Sequence, residues 1–236
     1  MFLKNIKWTD LDSNQKYHFV IPIGSTEQHG PFLPFGTDTF MTEFLMDGLN
    51  QEFPEVVFLP VLEFSRAQEH RGFFGTIYLQ EETLKQVLLD ICNCLSSQAL
   101  SISFLNFHGG NHHVLEDFIK NNVNEFNGID LQEIQVFHED DDLEFERWLD
   151  GPIDDHAGNS EISSILHLHP GLVITPPSDY PKEVVSDPFK EDDLKSKCPN
   201  GIADNHPKWV LGSELGQKFN QLYLERAKKH LRQILN

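Results

Sequence analysis

At 236 residues the chain is long enough for one large domain with a sizeable buried core, and a 39% hydrophobic fraction with 19 Phe excludes a disordered chain. A net charge of −19, with only 18 Lys and Arg scattered along the sequence, excludes a phosphate-gripping surface for nucleic acid. Three cysteines, Cys92, Cys94 and Cys198, are an odd number in a chain too large to need disulfides; with an N-terminus lacking signal-peptide character they point to the cytoplasm, and no apolar run approaches the ~18 residues of a membrane span.

Phe19 to Gly24 is a short apolar run closed by Gly and Ser, and reads as a buried strand delivering Glu27 and His29 just past its C-terminal end. A helix from about Thr39 to Glu52 follows, then a strand over Val56 to Val61 and a glycine-punctuated polar loop carrying Glu69, His70 and Thr76. Leu84, Val87, Leu88, Ile91 and Leu95 recur at three and four residues, the apolar stripe of a helix lying on a sheet. Cys92 and Cys94 fall within it and lack the spacing of a zinc knuckle.

Ser101 to Phe107 reads as a strand running directly into His108, and Val114, Leu115, Phe118, Ile119, Val123 and Phe126 mark another helix before a strand candidate at Ile134 to Phe137. The acidic stretch from His138 to Glu146 reads as a solvated face or loop. Pro176 to Pro181 and Ser186 to Pro207 lack an apolar period, which suggests a long ordered loop or a partner-facing excursion. A terminal helix from about Ser213 buries Phe219, Leu222, Tyr223 and Leu231. The alternation of strands and helices predicts a single-domain α/β/α sandwich with a mainly parallel central sheet, in which ligands collect at the carboxyl ends of the strands.

Three polar clusters sit where such a site is expected. In the first, Glu27, His29 and Asp38 are set among Gly30, Pro31, Pro34 and Gly36; residues two apart on an extended segment point the same way, so Glu27 and His29 reach one cavity while Gln28 faces away. The turn formers bring Asp38 back toward them, where its carboxylate can bridge two ions. In the second, Gly109 and Gly110 follow His108 and leave room for a substrate or metal, and Asn111 can cap the next helix. The third, Asp154 to Glu161, offers His156 as a proton donor and Glu161 as a further carboxylate. Oxygen and nitrogen donors without thiolate suit Zn, Mn or Fe(II). His112, His113, His138, His167 and His169 read as ordinary surface or core histidines.

Taken in order, Pro22 to Pro31, Leu33-Pro34, Gly36-Thr37-Asp38, Glu69-His70 with Phe74-Gly75-Thr76, Asn106 to Asn111, His156-Ala157-Gly158 with Glu161, and Gly212 to Gly216 resemble the creatininase family of metal-dependent amidohydrolases across nearly the whole chain. The resemblance implies one hydrolase domain over residues 1–236 that uses two divalent ions. It implies that Glu27, Asp38 and His108 hold one ion, and that His29 with bridging Asp38 holds a second. A water activated there would attack a carbonyl carbon, with His156 donating a proton to the leaving nitrogen and Glu161 as the remaining ligand or a general base. Glu69, His70, Thr76, Gly109 and Gly110 would border the substrate. A homo-oligomer is implied too, a hexamer being one candidate size.

Three departures separate the chain from creatininase proper. Gly110 stands where an acidic residue serves the second metal, which leaves that site weaker or completed by Glu161. Phe32 replaces a common histidine and Phe107 a small residue, so a drier or narrower pocket is expected. The substrate-contacting aromatic residues have no match, Trp148 being only nearby in sequence, and creatinine itself is not the expected substrate. The expected reaction is therefore cleavage of a non-peptide C–N bond in a small cyclic amide or formamide. The alternatives are a metallopeptidase processing a small modified peptide, although no His-Glu-x-x-His helix is present, and a non-catalytic metal-binding member.

Overall fold

The computed structural model describes residues 1–126, 128–137, 142–182 and 184–236. Its frame is a four-stranded, fully parallel sheet in the order β2-β1-β3-β4, with β1 at Tyr17–Ile23, β2 at Val57–Phe58, β3 at Ala99–Asn106 and β4 at Asp130–Ile134. β1 and β3 form the centre, in register from His18 opposite Ser101 to Ile23 opposite Asn106.

Alternation along the strands feeds two cores. Phe19, Ile21, Ile23, Ile102 and Phe104 face helices α2 (Glu81–Leu95) and α3 (His112–Asn122), which contribute Leu84, Leu88, Val114, Leu115 and Phe118. Val20, Leu105 and Ile134 face the opposite way, onto α1 (Thr37–Glu52), α4 (Asp142–Leu149), α5 (Asn159–Leu168) and α7 (Ser213–Leu235). Strands buried on both faces read as continuous apolar runs, and helices on both sides complete the α/β/α sandwich. No helix among the described residues is long and apolar enough to cross a membrane.

Several elements depart from expectation for identifiable reasons. β4 begins at Asp130 and ends at Ile134, where the apolar run was expected to begin; it is an edge strand whose Asp130, Gln132 and Glu133 mask the alternation carried by Leu131 and Ile134. β2 is short because Pro60 cannot donate to the ladder, though Leu59 N and Leu62 N still bond to β1 carbonyls. Helix α4 lies in the stretch expected as a solvated loop, its acidic residues hiding the buried Phe145 and Leu149; positions 138–141, His138 among them, fall outside the described residues. Helix α5 had no clear periodic signal. Residues 186–207 are a long ordered segment, as one of the two expectations had it, but not a plain loop: they fold back through the short helix α6 (Leu194–Lys197), bury Leu194, Cys198, Ile202 and Ala203, and pair Ala203 with His156. On α7 it is Leu224, not Leu222, that joins Phe219, Tyr223 and Leu231 in the core.

Helices α5 and α7 approach so closely that a Cβ on Gly216 would lie 1.8 Å from the Ser163 carbonyl oxygen. Backbone cannot yield as a flexible side chain would, so Gly216→Ala is expected to lower stability by at least ~2 kcal/mol, read as a shifted midpoint in urea unfolding.

Candidate metal centre

The loops after β1 and β3 carry the site. Glu27 N–H donates to Phe35 O at 3.1 Å, closing the loop that joins β1 to α1, while Thr42 Oγ1 donates to Ile23 O and Asp38 O and ties the first turn of α1 to the strand end. Asp38 is thereby held against Glu27 in the first helical turn, where a negative charge is favoured. After β3, Asn106 brackets His108: its Oδ1 accepts from His108 N–H and its Nδ2 donates to His108 O. Asn111 does not cap α3 with its side chain. It accepts from Arg66 N–H and donates to Ser65 and Asn106, locking the two loops together.

These loops and the first turn of α1 bring Glu27, His29, Asp38 and His108 together, and Glu161 joins them from α5. His108 Nδ1 lies 3.2 Å from Glu27 Oε2 and 3.4 Å from Asp38 Oδ2; His29 Nε2 lies 3.5 Å from Asp38 Oδ1 and 3.8 Å from Glu161 Oε1. Three overlapping donor groups result among the described residues: Glu27/Asp38/His108 and His29/Asp38/Glu161, which share Asp38, and Glu27/His29/His156. The outer nitrogen of each histidine points at a backbone carbonyl, His29 Nδ1 at Glu27 O (3.2 Å) and His108 Nε2 at Arg66 O (2.8 Å). A carbonyl only accepts, so the outer nitrogens carry the protons and the inner ones present lone pairs, the second-layer arrangement of histidines that ligate metal.

Buried acceptors therefore face buried acceptors, and His29 Nε2 and Asp38 Oδ2 have no hydrogen-bond partner among the described residues. Only a proton or a cation between them resolves this. The titration behaviour reflects the same crowding. Burial opposes charging His29, yet Asp38 and Glu161 outweigh it and raise its pKa to about 10. Burial and the charges of Asp38 and Asp154 push Glu161 up to about 8 against the pull of His29. Asp38, despite burial, is held well below the usual carboxylate range by His29 and His108. Carboxylate and imidazole donors in two joined sets fit a pair of divalent cations.

The remaining expected residues divide. Glu69, His70, Gly109, Gly110 and His156 line a cavity of about 610 Å³ that opens from the clusters. Glu69 Oε1 sits 3.3 Å from His108 Nε2 and beside Gly110, where an added Cβ would come within 2.1 Å of it. Glu69 thus fills the room an acidic side chain at position 110 would need. Thr76 lies outside the cavity lining, its hydroxyl accepting from Gln28 N–H. Gln28, expected to face away, is buried and contacts both His70 and His156, because the chain turns after β1 instead of continuing as a strand.

Other residues of the site had little sequence signal. Arg66 supplies the carbonyl behind His108 and an ion pair to Glu69, and Phe137, Phe189 and Tyr223 join Phe107 in the wall, all from segments without a motif. Phe32 packs edge-on against Tyr180 and Trp209, and Trp148 packs on Phe145 and Phe219; neither lines the cavity. His113, read as ordinary, stands at the cavity rim, half-exposed and 3.5 Å from Glu81.

A parallel α/β/α sandwich with two carboxylate-bridged donor sets at the carboxyl end of its sheet defines a metal-dependent hydrolase. Residues 4–229 match the family model described as "Creatininase: Creatinine amidohydrolase", and the chain belongs to the creatininase family. The fold agrees with a solved "Creatininase Mn" (TM-score 0.77, 18% identity, 98% of this chain and 97% of that one) and with a creatininase variant of Zn-Zn type (TM-score 0.77, 17% identity, 98% and 97%). The chain is also 32% identical over 164 residues to a mycofactocin precursor peptide peptidase of Mycobacterium ulcerans and 30% identical over 161 residues to one of Mycolicibacterium smegmatis. Each match takes in 66% of this chain and spans 60% of the relative's length.

Neighbouring carboxylates raise the proton affinity of His29 and His108, and burial that of Glu161, so a cation entering the centre competes with protons there. Zinc uptake is therefore expected to release protons and to tighten as pH rises from 6 to 8, which calorimetry in buffers of different ionisation enthalpy would measure. Asp38→Ala should abolish binding of both ions and Glu161→Ala of one, by elemental analysis.

Proposed function

We propose that the chain is a metallopeptidase that processes a small, modified peptide, in preference to the cyclic-amide or formamide hydrolase that the family resemblance first suggested. The observation that carries this reading is the cavity: about 610 Å³, with an aromatic wall of Phe107, Phe137 and Tyr223, beside the donor clusters. Such a space holds a ligand the size of a short peptide and far exceeds what a five-membered ring needs. The similarity to peptide peptidases over two thirds of the chain supports the same reading.

In this proposal Glu27, Asp38 and His108 would hold one ion, and His29, Asp38 and Glu161 the other. The cations, when bound, polarise the scissile carbonyl and make a water nucleophilic near neutral pH. Glu161 acts as a ligand: its Oε2 accepts from Ala157 N–H at 2.5 Å, which turns Oε1 toward His29. His156 is held neutral, first by burial and then by the nearby imidazoles, and sits 4.0 Å from Glu27 Oε1. A neutral imidazole there takes the proton of the attacking water and passes it to the leaving amine. The aromatic wall receives an apolar side chain flanking the cleaved bond. Glu69, His70, Gly109 and Gly110 border the peptide backbone. One domain over 1–236, a cytoplasmic location and a homo-oligomer complete the proposal.

Zinc- or manganese-loaded protein should release amino acids or short fragments from peptides with an aromatic or aliphatic residue at the cleaved bond, and leave formamides and lactams intact; the opposite preference would overturn the reading. Phe137→Ala, which removes a half-exposed part of the wall, should raise KM roughly tenfold with little change in kcat. His156→Ala should keep its metal and lose turnover.

A further inference from the structure

Beneath the donor clusters His29, His156 and His70 stand in a row, their ring centroids 4.4 and 4.5 Å apart, and the buried amide of Gln28 lies against the last two. The orientation of that amide is fixed. Oε1 receives Gly30 N–H at 2.9 Å, and Nε2 faces Gly201 O at 3.2 Å; a flipped amide would set donor against donor and acceptor against acceptor. Gly201, at φ +79°, leaves the room: a Cβ there would stand 1.8 Å from Gln28 Oε1.

The amide nitrogen has two protons and three neighbours, Gly201 O, His70 Nδ1 at 3.0 Å and His156 Nε2 at 3.0 Å. Gly201 O can only accept and takes the first. His156 Nε2 also lies 2.8 Å from the Gln28 backbone carbonyl, again an acceptor only, so the bond between them requires the proton on Nε2. The second amide proton then goes to His70 Nδ1, which places the proton of His70 on Nε2, 3.1 Å from Glu27 Oε1. The reverse assignment sets the His156 lone pair against the Gln28 carbonyl oxygen and leaves His70 Nδ1 without a donor. Leaving buried polar groups unsatisfied is unfavourable, which decides between them.

We infer that Gln28 is a positioning residue that sets the tautomers of two histidines at once, with the proton on Nε2 in both, so that His156 turns an open Nδ1 lone pair toward the donor clusters. His156 therefore enters the reaction as a proton acceptor and becomes a donor only after taking a proton from the attacking water. This last step rests on the peptidase reading; the tautomers do not.

Long-range 1H–15N spectra of zinc-loaded protein labelled at histidine, assigned with His70→Ala and His156→Ala, read each ring nitrogen directly. Both residues should show a protonated Nε2 and a bare Nδ1. A protonated Nδ1 on either would overturn the tautomer assignment, and zinc on His156 Nδ1 would overturn the acceptor role. Gln28→Glu, whose carboxylate can only accept, should move the proton of His70 to Nδ1. It should also lower kcat at least tenfold with KM and the two-ion metal content unchanged, whereas unaltered spectra and kcat in Gln28→Glu would refute the inference. Should that variant not fold, the spectrum of the unsubstituted protein decides alone. Spectra as expected without peptide cleavage would refute the peptidase reading and leave the tautomer assignment standing.

Discussion

The structure is organised around a buried crowd of acceptors. Glu27, Asp38 and Glu161 meet the inner nitrogens of His29 and His108 at 3.2 to 3.8 Å, where acceptor faces acceptor unless a proton or a cation lies between them. Left to themselves these groups would spread apart. They are instead fixed from outside: carbonyls grip the outer nitrogens, Ser25 donates to Glu27 at 2.8 Å, and Ala157 N–H anchors Glu161. Rigid backbone thus holds the donors in place for cations that must displace the protons otherwise held between them.

The parallel sheet explains why this crowd forms where it does. Strands β1 and β3 are neighbours in register and end together, so the loops leaving them emerge side by side on one edge of the sandwich. Glu27 and His108 come from those loops, and Asp38 from the helix that β1 feeds. Glu161 arrives from α5, far along the chain, and its reach depends on the close seating of α5 on α7 at Gly216. One donor set is therefore a product of the sheet, and the other is completed by a residue that helix packing on one of its faces brings in.

That division also governs what the sequence made legible. Glu27, His29, Asp38 and His108 follow apolar runs whose strand character is plain, and a carboxylate followed by an imidazole among turn-forming Gly and Pro has no obvious packing purpose. The core strands and the helices α1, α2, α3 and α7 are readable for the same reason, each carrying an unbroken period. β4 and α4 are not, because acidic residues at the surface interrupt the apolar positions that decide their structure. The alternation that would turn Gln28 away holds only if the strand continues through Glu27 and His29. The chain turns there instead, with Gly30 at φ +63°, so that all three side chains point inward. Arg66 contributes chiefly through its backbone carbonyl, which no side-chain pattern can announce.

Gly110 shows how a lost ligand need not mean a lost site. An acidic side chain at that position would have to share space with Glu69, which already backs His108 and pairs with Arg66. The carboxylate beside His108 thus comes from a different loop, on the outer nitrogen and not the inner one, so it orients the histidine without adding to the donor set. Arg66 in turn reaches Asp192 at 2.5 Å in the segment that folds back over the cavity. The chain of contacts from Asp192 through Arg66 and Glu69 to His108 joins the cavity rim to one donor cluster. A displacement of that rim would be felt first at the histidine whose lone pair completes the cluster, which makes the 186–207 segment part of the centre's support as well as its wall.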